Sequence, residues 1–342
     1  MSLTAVATRA VERTPLPDVL TRLGVGYLVA RARKALETSP VFDDAAFAAT
    51  MATRDIAENT AEANAQHYEV PAELFRRTLG PRLKYSSCYY EGETTTLAQA
   101  EEAALALTCD HADLRDGQRI LELGCGWGSL SLWMAERYPL ATITSVSNSA
   151  SQREFIQAKA KARGLANLIV ITRDMNQFAP PSVYDRIVSV EMFEHMANWR
   201  ALFERLLPAL ETDGRMFLHV FSHRDRPYRF ESTDPDDFIA QHFFTGGIMP
   251  SHSLIRQFGD LVEVEQDWRW SGEHYRRTAM DWLANFDEAA DDLTPLLKRV
   301  YGADANLWRR RWRLFFLATA GLFGDSHGDV WGVSHYRLRP AA

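Results

Sequence analysis

A chain of 342 residues, 46% hydrophobic and 24% charged, has enough apolar residues to bury a large core, which excludes a disordered or fibrous protein. A net charge of −7 argues against a nucleic-acid-binding surface, which carries a basic excess. Three cysteines, Cys88, Cys109 and Cys125, with no CxxC pair, argue against a disulfide framework or a zinc site and fit a reducing, cytoplasmic compartment.

The N-terminus has no apolar signal core, because Arg9, Glu12 and Arg13 interrupt it. The longest apolar run, 314–323, is too short to span a bilayer. Residues 1–66 read as a helical extension. Within it, 16–36 carries apolar residues at helical spacing among several arginines. That pattern suits a surface helix packed on the domain, or a peripheral contact with a membrane or a partner such as a second copy of the chain. The Ala-rich stretch 43–65 is also expected to be helical.

Residues 67–342 read as one domain. Pro71 starts a short helix, Gly80 and Pro81 turn the chain, and an aromatic and hydroxyl cluster follows. Tyr68, Tyr85, Ser86, Ser87, Tyr89 and Tyr90 lack the alternation of an edge strand, so a ligand lid or pocket wall is expected. The next helix spans about 96–109, capped by Thr95 or Thr96, with Glu101 and Glu102 as an acidic first turn.

Strands are then expected near 119–124, 142–147, 168–173, 184–191 and 214–221, with helices at 127–137, 150–163 and 200–210. This alternation implies a parallel sheet covered by helices on both faces. After 222 it stops. An acidic loop at 234–237 and the stretch HFFTGGIMPS (242–251) precede a strand-like run at 262–270. Long helices from about 278 to 311 and a closing run at 333–338 complete the chain. The two late strands suit an antiparallel pair finishing the sheet, with the helices between them as a cap.

At 121–128 the chain reads LELGCGWG: an apolar strand breaks into Gly124, Gly126 and Gly128 and then into a helix. Alternate glycines let a ligand lie against the backbone, and the helix start presents amide groups to it. GxGxG fits the dinucleotide fingerprint GxGxxG poorly and the first motif of S-adenosylmethionine (SAM) methyltransferases better. Alone it also suits other nucleotides or a plain tight turn.

In an open α/β sheet the ligand lies beyond the carboxyl ends of the strands. The second strand ends in Ser147 and Asn148, followed by Gln152, where an NAD-binding unit would carry Asp or Glu. The third ends in Arg173, Asp174 and Met175. Asp174 is placed to accept from an adenine amino group with Met175 against the ring, or to cap a helix. The fourth ends in VEMFEHM, placing Glu191, Glu194 and His195 beside a buried strand. Charge there is costly unless paired or used, and such surroundings move pKa values toward neutrality. The trio therefore reads as acid–base machinery or as a structural network. No HExxH or other metal-ligand spacing occurs.

Together HYEVP, YSSCYY, LELGCGWG, SNSASQREFI, VEMFEHM, FFTGGIMPS and WSGEHYRRT, in this order over about 60–340, resemble the family joining cyclopropane fatty acid synthases, mycolic acid methyltransferases and plant coclaurine N-methyltransferases. SNSASQREFI, SGEHYRRTAMDWL and GDVWGVSHYRL lean to the coclaurine N-methyltransferase side. Two departures weigh against cyclopropanation. Ser87 stands where the lipid-modifying branch has a bicarbonate-site cysteine, with Cys88 one place later, and Trp312 stands where that branch has a late tyrosine.

The resemblance implies an α/β, Rossmann-like SAM methyltransferase fold. Its mostly parallel seven-stranded sheet would carry an N-terminal helical extension and cap segments around 222–261 and 271–330. It also implies SAM as cofactor, held by Tyr85, Ser86, Gly124, Gly126, Ser147, Asn148, Gln152, Asp174 and Met175. Glu191, Glu194 and His195 would serve the acceptor, with His242, Phe244, His274, Tyr275 and Trp312 on the substrate side. The activity expected is N-methylation of a small hydrophobic or aromatic amine, with modification of unsaturated lipid acyl chains as the alternative.

Overall fold

The computed structural model describes residue 14 and residues 16–38, 43–58, 70–230 and 238–341. His67 and Tyr68 of HYEVP and the acidic loop 234–237 lie outside the described residues. The sheet is built where the alternation predicts it: β1 Arg119–Leu123, β2 Thr142–Ser147, β3 Leu168–Thr172, β4 Tyr184–Val190 and β5 Leu210–His223. In β1, β2 and β4 the buried positions run almost continuously, as expected for parallel strands covered on both faces.

With β8 Val262–Ser271 and β9 Trp331–Pro340, the strands lie in the order β3-β2-β1-β4-β5-β9-β8. β9 runs antiparallel to both neighbours and pairs His219 of β5 with His335. Between β5 and β8 a two-stranded ribbon, β6 Tyr228–Arg229 and β7 Ile248–Met249, turns back toward the sheet.

The covering helices are α1 Asp18–Thr38, α2 Asp44–Met51, α3 Ala72–Thr78, α4 Leu97–His111, α5 Ser129–Arg137, α6 Ala150–Ala162, α7 Trp199–Leu206 and α8 Phe238–His242. α9 Gly272–Glu288, α10 Ala290–Tyr301 and α11 Ala305–Gly324 are inserted between β8 and β9. Among the described residues, no helix is long and apolar enough to cross a membrane. The apolar run 314–323 is the second half of α11.

α11 packs against α1 at close range. A Cβ on Gly321 would lie 2.3 Å from Val25 Cγ1, and Arg313 reaches Asp18 at 2.6 Å. The first helix and the last are thereby joined.

Three local expectations are corrected. Of the Ala-rich stretch 43–65, the helix runs over Asp44–Met51 and Ala57 forms a bridge with Met196, while 59–65 lie outside the described residues. α9 begins at Gly272, capped by Ser271, so SGEHYRRT belongs to a helix that starts before 278. α4 is capped by Thr96 in a reciprocal box with Gln99, which puts Glu101 beyond the first turn. Glu101 is fully buried and accepts the Arg82 and Lys84 N–H groups at 2.7 and 3.1 Å, a structural rather than a dipole role.

Glu122, in β1, is buried, and its carboxyl accepts from Ser131 and from Ser145 (2.6 Å). Desolvation lifts it from an ordinary value of 4.5 to about 7. The folded chain therefore binds the extra proton between these values, and the stability it brings is lost as pH rises through them. Melting temperatures of the wild type and Glu122→Gln, measured from about pH 4.5 to about pH 7, are expected to diverge in favour of the variant as pH rises. A difference independent of pH contradicts this.

Candidate active site

A cavity of about 1070 Å³ opens beyond the carboxyl ends of β1, β2 and β4. Its floor is the glycine turn. Gly124, Gly126 and Gly128 have φ of +77°, +50° and +82°, a conformation that favours residues without Cβ. At Gly124 a Cβ would sit 2.7 Å from Met192 Cβ, whereas at Gly126 it would meet nothing within 4 Å, so bare backbone faces the cavity there. Ser147, Asn148, Gln152, Arg173 and Met175 line the same end, and Tyr85 and Ser86 the opposite wall. Ser147 Oγ donates to Gln152 Oε1 at 2.7 Å and accepts the Ser149 N–H at 2.9 Å, which fixes the loop at the start of α6. Glycine backbone, neutral polar side chains and the N-terminus of α5 fit a nucleoside cofactor.

At the other end stands Glu191, the residue after β4, with φ +46°. A non-glycine residue persists there only when its surroundings hold it, at a cost of about 1–3 kcal/mol. Its Oε1 accepts the Ser87 N–H at 2.9 Å and lies 3.2 Å from His219 Nε2, while its Oε2 accepts the Tyr275 hydroxyl at 2.7 Å. Burial pushes its pKa up, and the ammonium of Lys84 pulls it back. Lys84 is itself buried, donating to Ser86 Oγ and Ser87 O at 2.6 Å each.

His195, on the short 3-10 turn Phe193–His195, also lines the cavity, with its ring 4.3 Å from that of Phe244. Phe244 can lie there because its neighbour Gly247 has no Cβ, which would sit 1.9 Å from the Phe244 ring. Much of this end is apolar, with Phe221, Phe230, Leu314, Phe315, Leu322 and Phe323 on the wall. Residues of α1, among them Thr21, Val25 and Leu28, close the side.

Of the residues singled out in the sequence, Tyr85, Ser86, Gly124, Gly126, Ser147, Asn148, Gln152, Met175, Glu191, His195, Phe244 and Tyr275 meet at this cavity. Five assigned to cofactor, acceptor or substrate do not line it, nor do Ser87, Tyr89 and Tyr90 of the expected pocket wall. Glu194 is fully buried on the far side of the turn, with Oε1 accepting the Phe221 N–H at 2.6 Å and Oε2 without a hydrogen-bond partner among the described residues. Burial and the Glu191 charge hold its pKa well above the carboxylate range.

Asp174 accepts the Asn176 N–H at 2.7 Å and closes a turn beside Met175 rather than capping a helix. His274 accepts the Tyr90 N–H at 3.0 Å and stacks on Tyr89, and burial lowers it to about 4. His242 packs against Phe238 and Trp308. Trp312 is fully buried among Phe75, Phe243 and Phe316 and is core. Sequence reasoning missed His219, whose only signal is a polar residue inside the apolar run FLHVF, and Lys84, which the stretch PRLKYSS does not distinguish from a surface lysine.

A family model described as mycolic acid cyclopropane synthetase matches residues 56–333. (S)-coclaurine N-methyltransferase of Thalictrum flavum subsp. glaucum is 37% identical over 275 residues, covering 79% of this chain and 76% of that one. Cyclopropane-fatty-acyl-phospholipid synthase of Escherichia coli (strain K12) is 31% identical over 274 residues, covering 78% and 66%. A solved structure of coclaurine N-methyltransferase bound to N-methylheliamine and S-adenosylhomocysteine (SAH) aligns with a TM-score of 0.92 at 32% identity, covering 99% and 100%.

Gly124→Ala combines a disfavoured φ with the Met192 clash. It is expected to lower stability by about 1–3 kcal/mol and to weaken SAH binding about tenfold or more, measured by melting and calorimetry. Unchanged SAH affinity contradicts the placement of the cofactor on this turn.

Proposed function

The chain belongs to the mycolic acid cyclopropane synthetase family and is a SAM-dependent methyltransferase, and within that family we propose that it N-methylates a small hydrophobic or aromatic amine of the tetrahydroisoquinoline type. The observation that carries this reading is the Glu191 carboxylate on the wall of a cavity whose outer end is built largely of aromatic and aliphatic side chains, among them Phe221, Phe230, Phe244, Phe315 and Phe323. Such a chamber offers charge to a nitrogen and rings to the body around it, with cation–π attraction between them. The 37% identity to a coclaurine N-methyltransferase points the same way.

In this reading Tyr85, Ser86, Gly124, Gly126, Ser147, Asn148, Gln152 and Met175 hold SAM, with Asp174 shaping the turn that carries Met175. Bound SAM supplies a methyl group on a sulfonium, already a strong electrophile. The chain then has to align the acceptor, exclude water and manage one proton. An amine attacks only when neutral. Glu191 draws the ammonium form into the chamber and, with His195, accepts its proton. Glu194 keeps the turn rigid beneath both. Phe244 and Tyr275 bound the acceptor, Tyr275 through its hydrogen bond to Glu191.

A second reading, cyclopropanation or C-methylation of unsaturated acyl chains, is favoured by the outer face of α1. Val19, Leu20, Leu23 and Tyr27 are exposed there, with Leu16 just before the helix, a surface suited to a peripheral lipid contact or to a second copy. A cytoplasmic setting suits the three buried free thiols.

Purified protein offered SAM with a panel of tetrahydroisoquinoline amines, and separately with vesicles of unsaturated phospholipid, decides between the readings. N-methyl product is expected, and methylene addition to acyl chains without amine product overturns the proposal. Glu191→Gln is expected to lower kcat on the amine by about hundredfold or more, and His195→Ala by about tenfold or more. Both variants at wild-type rates contradict the proton assignment.

A further inference from the structure

Behind Glu191 runs a file of three imidazoles. His219 Nε2 lies 3.2 Å from Glu191 Oε1, His219 Nδ1 lies 2.8 Å from His335 Nε2, and His335 Nδ1 lies 2.8 Å from His111 Nδ1. His219 and His335 are register partners across β5 and β9, and both are fully buried. His111, the last residue of α4, is half-buried and stacks on Trp268 at 3.8 Å. Phe217 and Trp270 pack against the His335 ring. An ordinary core would place apolar side chains at these positions, because every buried polar atom must find a partner.

Burial keeps all three rings neutral: His219 and His335 are held well below the ordinary histidine range and His111 at about 4. Each ring then carries one N–H, so one tautomer choice fixes the next along the file. Two observations at the cavity end set the direction. Oε1 of Glu191 already accepts the Ser87 N–H, and the ammonium of Lys84 favours the ionised carboxylate. With Glu191 ionised, His219 donates from Nε2 and accepts at Nδ1, His335 donates from Nε2 and accepts at Nδ1, and His111 donates from Nδ1.

We propose that His335 and His111 are positioning residues that lock His219 in the tautomer donating its Nε2–H to Glu191, and so keep Glu191 ionised toward the acceptor. Ser87, Tyr275 and His219 then give the carboxylate three donors in a site where burial alone would protonate it. The same logic, a remote partner fixing an imidazole's tautomer, operates in hydrolase triads. The groups facing Glu191 are Lys84 and Ser87 from the loop after α3, Glu194 from the turn, His219 from β5 and Tyr275 from α9. Those beside His111 are Asp110 and Arg337. The idea rests on the amine reading for its consequence in catalysis but not for its geometry.

The test has two arms. Nitrogen-15 NMR of histidine-labelled protein loaded with SAH reads the His219 tautomer without turnover. An Nε2–H form is expected in the wild type and in His111→Asn, whose amide replaces the Nδ1–H donor. A mixture is expected in His111→Phe and His335→Leu. An Nδ1–H form in the wild type overturns the proposal outright.

In the second arm the acid limb of kcat/KM for the amine is expected to move to higher pH in His111→Phe and His335→Leu. Activity near neutrality should fall about tenfold, with SAH affinity unchanged and the wild-type profile restored in His111→Asn. An acid limb identical in His111→Phe and wild type overturns the proposal as well. If the wild type methylates no amine, the amine reading falls and the tautomer measurement alone decides this one.

Discussion

Ionised oxygen taken out of water must be met by donors, and at Glu191 those donors come from three distant parts of the chain. Ser87 lies before α4, His219 in the middle of β5 and Tyr275 in the first turn of α9. The Glu191 backbone N–H is also bound, to His219 O at 2.8 Å, so strand pairing and side-chain pairing hold the same residue from both sides. The positive φ of Glu191 is sustained by this over-determination. Remove any one of the three segments and the carboxylate loses a donor it cannot replace in an apolar cavity.

The apolar half of the chamber depends on a different kind of contact. α9, α10 and α11 are inserted between the last two strands, and α1 arrives from the far end of the chain to lie on α11. Arg313–Asp18 and Arg33–Asp325 join α1 to its neighbours, but partly exposed ion pairs each contribute about 0–1 kcal/mol. Val25 and Val29, both buried, contribute more, about 1.5–3 kcal/mol each. Few other α1 residues are buried, so of all the walls around the cavity this is the one most easily displaced.

Most of the sheet is legible in the sequence because each parallel strand is an apolar run of fixed length followed by a turn and an amphipathic helix. The glycine turn is legible because only glycine tolerates its φ values. Legibility fails where orientation matters. Glu191 and Glu194 are three residues apart with the same chemistry, and only a positive φ, invisible in sequence, aims one at the cavity and the other beneath it. His274 and Tyr275 are consecutive on α9, about 100° apart around the helix axis, so one faces Glu191 and the other packs on Tyr89. His219 and His335 sit in runs such as FLHVF and VSHYR that read as plain core. Their role emerges only when antiparallel pairing sets them side by side, which no local pattern encodes. Trp312 and His242 are placed on the substrate side only by the family resemblance, and aromatic side chains finish cores as readily as they line pockets.

That Glu191 presents charge to a cationic nitrogen is tested most directly by calorimetry on the SAH-loaded protein. The ligands are an N,N-dimethyl tetrahydroisoquinolinium, which is permanently charged, and its uncharged carbon analogue of the same shape. The wild type is predicted to prefer the cation by about tenfold or more, and Glu191→Gln to lose that preference while binding the carbon analogue as before. Equal binding of the two ligands by the wild type, or a preference for the cation that survives in Glu191→Gln, would contradict the account.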